Sequence, residues 1–311
     1  MRGLLTEDFV MPRRIDTLRA LNRRGALDND LKSELYRLNQ GALGEQFVFD
    51  CLKEFGMDHW AVVQNLWLEL FGKFECDVFL TTENMNYTFE IKHYNGNFEY
   101  RNSQCFLDGK LIGHNAISQA QKSSINLQTI LQQENINIKT KNVLVFTGEF
   151  CQVDIKDDVQ DLDIIMRHQL RDYIRKIREY EQSTLRTTVN QQSVIEILNK
   201  YKVASPQFHD PIPGEILNRL NTGLLCPECS SLATFNGKMY MYYDCGHLEL
   251  IEEALVRTVN EYGVIYGKKY FTTKEIKVFI NQILSDRTIL KYLNKNFERI
   301  GNSRATKFLI N

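Results

Sequence analysis

The sequence lacks any long apolar run. No stretch of its 311 residues approaches the roughly 20 consecutive apolar residues that a membrane-spanning helix needs. The first residues, MRGLLTEDFVMPRR, hold only a short apolar patch interrupted by acids, which is unlike a secretory signal peptide. We therefore expect a cytoplasmic protein that does not bind membranes.

The sequence also lacks an even number of cysteines that could all pair in disulfides, since it has seven. Three of them lie close together near the C-terminus, and the other four are scattered singly in apolar segments: Cys51, Cys76, Cys105 and Cys151. In a reducing compartment the scattered four are explained as small buried hydrophobic residues, whereas the close group suggests a metal site.

The chain has almost no net charge, −1 at pH 7, so the total indicates no class of partner. Its distribution is uneven, because residues 256–311 contain 11 Lys or Arg and 4 Asp or Glu, a net charge of +7. A basic terminal module is an unspecific indication of nucleic-acid binding. Internal repeats and low-complexity tracts are absent from the sequence.

Hydrophobic periodicity predicts a mixed α/β core. Leucines at helical spacing in the first forty residues predict an amphipathic arm, and a second helix is predicted through GALGEQFVFDCLKEFG. Three strand-like segments follow, AVVQNLWLEL, FECDVFLTT and NYTFEIKHY, and then a long helix near 115–133 and a buried strand, KNVLVFTGEF. This order predicts an α/β fold with one mixed central sheet flanked by helices.

The later segments suggest where the domains divide. Residues 154–202 are charged and mainly helical in pattern, and SPQFHDPIPGE, which holds three of the five prolines, indicates a linker. We expect five parts, in chain order: an N-terminal helical arm at 1–40, the α/β domain at 41–203, a linker at 204–220, a small cysteine-containing module at 221–250 and a basic helical module at 251–311.

The stretch FEIKHYNG holds the first chemical constellation. Glu90 and Lys92 point to the same face of a strand because side chains alternate along it. If FECDVFL pairs with this strand as a hairpin, Asp77 reaches that face too. Two converging carboxylates repel each other unless a proton or a cation lies between them. Mg²⁺ suits this position, held by Asp77, Glu90, the backbone carbonyl of Ile91 and waters.

In this interpretation Lys92 is available to orient or deprotonate a metal-bound water, or to stabilise charge on a phosphate. We therefore expect Glu90 to face a metal and Lys92 to face a water or a phosphate, rather than each other. The competing interpretation is structural, since Glu-x-Lys on an exposed strand is common. Glu45 in GALGEQF and Gln119 in NAISQAQ, on the helices before and after the strands, favour catalysis.

The series GALGEQF, ECDVFL, FEIKHYNG and NAISQ resembles the NERD domain, a nuclease-related domain of the restriction-endonuclease-like PD-(D/E)XK superfamily, over roughly residues 31–150. It departs from the family pattern at Ala116, where proline is usual. The resemblance implies a restriction-endonuclease-like fold and a nuclease that depends on Mg²⁺ or Mn²⁺.

The resemblance also implies a role for each matching residue. Asp77 and Glu90 would be the metal ligands and Lys92 the catalytic lysine. Glu45 would be a helix carboxylate that supports the metal site, and Gln119 would lie near the scissile phosphate.

A second constellation is CPECSSLATFNGKMYMYYDCGH. Its spacing, Cys226-x₂-Cys229 and then Cys245-x-His247, matches a tetrahedral structural zinc site on a zinc-ribbon-like hairpin whose turn is NGK. It departs from the usual ribbon, which has a second Cys-x₂-Cys. The alternative is a reduced hairpin without metal. Four ligands leave no position for a water, so a zinc ion here would be structural.

The basic tail loosely resembles a winged helix-turn-helix. TTKE at 272–275 predicts a helix cap, a second helix is predicted to start near Ser285, and RATKFLI indicates a closing strand. In this interpretation residues 288–295 form the recognition helix. Nucleic-acid contacts are then expected from five basic residues: Arg287, Lys291, Lys295, Arg304 and Lys307. A packing module with a solvated basic face is the alternative.

Two functions of different classes follow from these patterns. One is a metal-dependent nuclease that hydrolyses nucleic-acid phosphodiester bonds, with DNA as the favoured substrate. The other is a non-catalytic DNA-binding protein in which the zinc and basic modules act and the α/β core is a scaffold. The joint presence of Glu45, Asp77, Glu90 and Lys92 favours the enzyme. Because cutting both strands of a duplex usually needs two active sites, a homodimer is one expectation.

Overall fold

The computed structural model describes residues 14–184, 190–204, 212–235, 239–301 and 306–310. Its α-helices are α1 (Arg14–Arg23), α2 (Asn29–Phe55), α3 (Ala116–Gln133), α4 (Leu170–Ser183), α5 (Gln191–Tyr201), α6 (Gly214–Leu217), α7 (Ile251–Tyr266), α8 (Thr273–Phe279) and α9 (Asp286–Asn296), with a 3₁₀ helix at Arg167–Gln169. Across these ranges, no helix combines the length and the apolar character that crossing a membrane requires.

The strands occur mostly in groups between these helices. They are β1 (Ala61–Glu69), β2 (Lys73–Thr81), β3 (Met85–Lys92), β4 (Gly96–Arg101), β5 (Gln104–Leu107), β6 (Lys110–Leu111), β7 (Lys139–Phe146), β8 (Cys151–Ile155), β9 (Asp163–Met166), β10 (Thr234–Phe235), β11 (Tyr240–Tyr242), β12 (Leu248–Leu250), β13 (Tyr270–Phe271), β14 (Arg299–Ile300) and β15 (Lys307–Leu309).

The chain forms two compact units. The core unit is Arg37–Pro206, and the terminal unit combines Met1–Tyr36 with Gln207–Asn311. The boundary predicted at residue 40 lies inside α2, which continues without a break from Asn29 to Phe55. Helix α1 and the first residues of α2 therefore belong to the same unit as the C-terminal part of the chain.

The central sheet of the core unit is mixed, as predicted. Its order is β1-β2-β3-β7-β9, with β1, β2 and β3 antiparallel and β3, β7 and β9 parallel. The predicted hairpin of FECDVFL with NYTFEIKHY is confirmed, since β2 pairs with β3 from Val78↔Phe89 to Thr81↔Asn86.

The alternation along β3 separates an apolar face from a polar face. Tyr87, Phe89 and Ile91 pack with α2 and α4 in one buried cluster. Asn86 and Glu90 point the other way by strand alternation and are also buried. On that second side of the sheet, α3 and α5 pack against β1 and β2. A buried face that carries polar residues needs a reason other than hydrophobic packing.

The helix predicted near 115–133 is confirmed as α3. Its cap is Asn115, whose side chain accepts a hydrogen bond from the Ser118 N–H at 3.0 Å. Ala116, the departure from the NERD pattern, is the first helical residue, a position where proline is favoured but not required. The substitution therefore leaves this helix start intact.

A second sheet in the core unit was not predicted. Its order is β6-β5-β4-β8, and it packs with the start of α3 and the end of β7. Gly96, at the beginning of β4, has φ 106°, and a Cβ there would lie 2.5 Å from Asp108 Oδ2. The strands of this sheet have two to six residues each, so they lack the long apolar alternation that marks β1 to β3.

The terminal unit holds two small sheets, β10-β11-β12 and β13-β15-β14. Arg24 is fully buried there, with Nη2 2.5 Å from Glu261 Oε2 and with Nη1 donating to the Asn221 carbonyl at 2.8 Å. Its guanidinium lies 4.1 Å from the Phe279 ring centre. One buried cation thus links segments that are distant in sequence.

A buried carboxylate holds the turn of the β2–β3 hairpin. Glu181 Oε2 accepts a hydrogen bond from Trp60 Nε1, and Oε1 accepts one from the Glu83 N–H, both at 2.6 Å. The Asn84 side chain donates to the Glu181 carbonyl at 3.2 Å. His59 and Glu83 lie close enough for a metal group with Glu181, but both Glu181 oxygens already accept N–H bonds.

We predict that Glu181→Gln destabilises the core unit by about 1–3 kcal/mol, the usual cost of leaving a buried donor unpaired, because the amide nitrogen faces an N–H donor. Urea unfolding measures this change. The control is Glu179→Gln, an exposed acid on the same helix. Equal unfolding midpoints for the two variants would contradict the role assigned to Glu181.

Candidate active site

Asp77 and Glu90 are neighbours on the β2–β3 hairpin. Asp77 lies one step beyond the last paired residues, Val78 and Phe89, and the same register places it opposite Glu90. Its Oδ2 accepts a hydrogen bond from the Ile91 N–H at 2.7 Å. Both side chains are buried, with residue exposures of 8% for Asp77 and 2% for Glu90. The fold therefore brings two acids together away from solvent.

Strand pairing is interrupted at Asp77. Every residue of β1 from Ala61 to Glu69 has a partner on β2 except Asn65, which the register places opposite Asp77. Asn65 has φ 50°, a left-handed conformation that asparagine tolerates better than most residues. Irregular strand pairing beside a functional side chain is a common way to redirect it.

Lys92 contacts both Glu90 and Gln119. Its Nζ lies 2.7 Å from Glu90 Oε1 and donates to Gln119 Oε1 at 3.0 Å. The expectation that Glu90 and Lys92 would not face each other is therefore corrected by the structure. Despite this short distance, neither oxygen of Glu90 accepts a hydrogen bond of good geometry within the described part of the chain. A buried carboxylate left in this state is suited to a further cationic partner.

A third acid of this cluster, Glu75, was missed by the sequence analysis. It lies on β2 two residues before Asp77, and burial, followed by the charge of Asp77, raises its pKa to about 7. The spacing Glu75-x-Asp77 repeats the same-face logic of Glu90-x-Lys92, so the signal was present in FECDVFL.

Electrostatics in this cluster favour bound protons or cations. Burial, and then the negative charge of Asp77, raise the pKa of Glu90 to about 8. Burial also raises the pKa of Asp77, although the Ile91 N–H and Lys92 oppose the shift. For Lys92 burial acts to lower the pKa, but Glu90 and Asp77 outweigh it and the pKa rises. Carboxylates that hold protons this strongly exchange them for a hard divalent cation when one binds.

The position of Glu45 follows from close packing of α2. An added Cβ on Gly44 would lie 2.5 Å from Thr147 Oγ1 and 3.2 Å from His93 Cβ, so the GALGE glycine lets α2 pass over the carboxyl ends of β3 and β7. Glu45 follows it directly and is half-buried. Its supporting role, and the Ile91 carbonyl as a ligand, remain predictions.

His114 and Tyr94 border the same cluster. Tyr94 Oη lies 3.2 Å from His114 Nε2, and the Tyr94 ring stacks on Phe98. Burial, followed by the charge of Lys92, lowers the pKa of His114. His93, in contrast, contacts Thr147 through Nδ1 at 3.1 Å on the opposite face of the strand.

Three of the four predicted zinc ligands come together in the terminal unit. The sulfurs of Cys226, Cys229 and Cys245 lie within 4.8 Å of one another, and the Cys226 and Cys245 sulfurs are 3.5 Å apart. The His247 nitrogens lie outside this group, and its ring lies against Tyr243. A hydrogen bond with Ser231 lowers the pKa of the Cys229 thiol to about 7, which favours the metal-binding thiolate.

Three of the five basic residues predicted to contact nucleic acid lie on α9. On α9, Arg287, Lys291 and Lys295 are exposed. Lys295 Nζ is already 2.8 Å from Glu252 Oε1. Lys307 is exposed on β15, and Arg304 lies outside the described residues.

The comparisons with known proteins bear on the core unit. Residues 40–147 match the NERD family, described as a nuclease-related domain. This NERD segment covers about a third of the chain and contains all five residues of the predicted catalytic set: Glu45, Asp77, Glu90, Lys92 and Gln119. The match indicates a nuclease-related domain, in agreement with the resemblance stated from the motifs.

Other comparisons add less. The small subunit of the heterodimeric restriction endonuclease R.BspD6I is similar with 13% sequence identity, over 60% of this chain and 87% of that chain, at a TM-score of 0.26. A TM-score this low does not indicate a shared fold. A search of curated proteins returned no significant match.

We predict that Glu90→Gln stabilises the core unit at pH 8 by at least about 1 kcal/mol, the equivalent of one pKa unit. Between pH 4.5 and about 8 the folded protein keeps a proton on Glu90 that the unfolded chain has released. Stability of the wild type therefore falls as the pH rises through this window, and the Gln variant lacks this contribution.

Urea unfolding at several pH values between 5 and 8.5 measures this difference. Both tryptophans, Trp60 and Trp67, lie in the core unit, so their fluorescence follows it. Glu54→Gln, an exposed acid on α2, is the control. Parallel pH profiles for the wild type and the Glu90 variant would contradict the assignment.

Proposed function

We propose that this protein is a metal-dependent nuclease that hydrolyses phosphodiester bonds in nucleic acid, with DNA as the expected substrate. The observation that supports it best is the cluster of buried Asp77, buried Glu90 and half-buried Lys92 at one point of a hairpin inside the NERD segment. The raised pKa values of the two acids, and the lack of a well-formed hydrogen bond from the described residues to Glu90, fit a divalent cation.

The proposed cation is Mg²⁺ or Mn²⁺, held by Asp77, Glu90 and the carbonyl of Ile91. A bound divalent cation supplies a nucleophilic water at neutral pH and neutralises charge on the attacked phosphate. The Asp77 carboxylate is oriented for this by the Ile91 N–H, which fixes one of its oxygens and leaves the other for a ligand.

Lys92 is proposed to bind the phosphate rather than to remove a proton. The charges of Glu90 and Asp77 raise its pKa against the effect of burial, which favours the charged ammonium group, a hydrogen-bond donor. Gln119 Oε1, 3.0 Å away, fixes the direction of the ammonium group. Glu75, with a pKa near 7, is the group whose pKa suits it to exchange a proton with water.

We predict that Glu90→Gln and Lys92→Met each lower DNA cutting by at least about 100-fold, the usual effect of removing one group that stabilises the transition state. The assay incubates plasmid and single-stranded DNA with the purified protein and Mg²⁺ or Mn²⁺. Lys122→Ala, an exposed lysine on α3, is purified in parallel as the control.

Equal cutting by all proteins would identify a contaminant and contradict the proposal. Binding of DNA without cutting would favour the alternative, a non-catalytic DNA-binding protein. A homodimer and a cytoplasmic location remain predictions alongside this activity.

We also propose a structural zinc ion at Cys226, Cys229 and Cys245. Three thiolates form a soft donor set that prefers zinc to magnesium. His247 is the proposed fourth ligand, and its ring must leave Tyr243 to reach the metal. The strands β10, β11 and β12 are two or three residues long, so a metal would supply stability that so small a sheet lacks.

We predict one zinc ion per chain by elemental analysis, and loss of that zinc in Cys229→Ser. Cys151→Ser, which removes a thiol of the core unit, is expected to keep it. His247→Ala tests the fourth ligand. If His247 is a ligand, water takes its place in this variant, which should retain zinc with lower affinity. Less than one zinc in the wild type, or full zinc in Cys229→Ser, would contradict the site.

The last part of the terminal unit, from α7 to β15, is proposed to be a winged-helix module that binds DNA. The order α7, β13, α8, α9, β14, β15, with a β13-β15-β14 sheet, supports this interpretation. The buried face of α9 is Ile289 and Leu293, which leaves Arg287 and Lys291 exposed for phosphates.

A further inference from the structure

A cavity of about 470 Å³ opens at the carboxyl ends of β3 and β7, on the face of the sheet opposite Glu90 and Lys92. His93 lines it and follows Lys92 directly in the chain. The cavity and Lys92 therefore share one end of β3, while the side chains of His93 and Lys92 lie on opposite faces of the sheet. A nucleic-acid strand held at Lys92 would reach the cavity by passing around this end of the sheet.

The rim of this cavity carries two apolar side chains in solvent. Phe150 is 78% exposed and Leu43 is 60% exposed, and both line the cavity. Large apolar residues exposed together mark binding surfaces more often than isolated ones do. An aromatic ring in this position offers a flat face on which a planar ligand can stack.

The backbone holds Phe150 in place. Its N–H donates to Asn95 Oδ1 at 3.3 Å, and its carbonyl accepts from the Gly96 N–H at 3.1 Å. Gly148 makes this approach feasible, because a Cβ there would lie 1.6 Å from the Tyr94 carbonyl oxygen. The ring is thus presented by a fixed turn rather than by a free loop.

The cavity's polar lining suits a neutral ligand. Arg167 stacks on Phe47 at 3.8 Å, donates to the Thr147 carbonyl at 3.1 Å and lies 3.8 Å from Glu149. Asp50 accepts a hydrogen bond from Gln46 at 2.7 Å. The Arg167 guanidinium is thus engaged by protein groups, and the Asp50 and Glu149 carboxylates in the lining disfavour an anionic ligand.

Amide side chains supply the remaining hydrogen-bonding capacity. Gln40, Gln46 and Asn95 all line the cavity. Gln46 Nε2 donates to Asp50 and Asn95 Oδ1 accepts from the Phe150 N–H, so the capacity comes from the Gln46 oxygen, the Asn95 amide nitrogen and Gln40. A planar, uncharged ring with donors and acceptors along one edge is the ligand that matches an exposed phenylalanine and three amides. Nucleobases have this chemistry, and paired bases in a duplex hide both their faces and their pairing edge.

We propose that this cavity binds one unstacked nucleobase of the strand being cut, so that the substrate is nucleic acid that is single-stranded or locally unpaired near the scissile phosphate. The proposal rests on the proposed nuclease function, because it takes the bound strand to be the one held at Lys92. It assigns Phe150 as the stacking residue and the amides as contacts to the base edge.

Binding without cutting tests it. Full-length protein carrying Glu90→Gln is titrated into fluorescent 12-nucleotide single-stranded DNA, the matching duplex, and a duplex with a central mismatch, and anisotropy is recorded. Base–aromatic stacking contributes about 1–3 kcal/mol, so adding Phe150→Ala should weaken binding of the single strand about 5- to 150-fold. Binding of the intact duplex should change by less than about 2-fold on the same reasoning.

The matched control is Phe71→Ala. Phe71 is 84% exposed, lies in the same unit and follows β1, away from the cavity lining. A second variant, Gln40→Ala, tests the amide contacts without changing the apolar rim. If Phe150→Ala weakens binding of the mismatched duplex as well as binding of the single strand, the base is taken from a locally opened duplex.

The proposal is overturned if Phe150→Ala binds every DNA as Phe71→Ala does, or if it weakens the intact duplex as much as the single strand. A separate cutting assay with protein that retains Glu90 distinguishes failure of the base-site proposal from failure of the proposed nuclease function. Loss of single-strand binding in Phe150→Ala, with no cutting by the wild type, would keep the base site and overturn the catalytic function.

Discussion

The burial of Glu90 beside Asp77 is the constraint around which the core unit is arranged. Two acids at one point of a hairpin repel each other and lose hydration. Their raised pKa values reflect the free-energy cost of keeping both ionised there. Lys92 offsets part of it by contact with Glu90, and the Ile91 N–H offsets part of it at Asp77. Replacing buried charged groups by apolar residues of similar volume is often stabilising, so packing alone does not account for this arrangement.

Several features elsewhere in the unit hold this point in place. Glu181 accepts a hydrogen bond from the hairpin turn at one end of β2 and β3. Gly44 allows α2 to pack closely against the other end of β3. Asn115 starts α3 so that Gln119 lies one turn into the helix, in contact with Lys92. The same carboxyl end of the sheet carries the cavity that begins at His93. Catalysis and base recognition are thus proposed for opposite faces of one strand end.

Local patterns predicted much of the fold. The three antiparallel strands and α3 were all visible, because each has a long alternating or helical pattern with clear caps. The second sheet and β9 were missed, since strands of two to six residues have too few alternations to distinguish them from turns. The continuity of α2 was missed as well, since the helical pattern of the first forty residues and the pattern from GALGEQF onward were interpreted as two helices, whereas one helix runs from Asn29 to Phe55.

For the candidate site, alternation along β2 and β3 determined by itself that Asp77, Glu90 and Lys92 share a face once the two strands pair. Only the tertiary structure decided how deeply they are buried, because burial depends on α3 and α5 packing over that face. It also decided that Glu75 joins the cluster and that Lys92 touches Glu90. Likewise, cysteine spacing suggested a metal site, but the distance of His247 from the three sulfurs depends on the folded hairpin. Spacing along a chain determines which side chains can meet, and packing between distant segments determines which do.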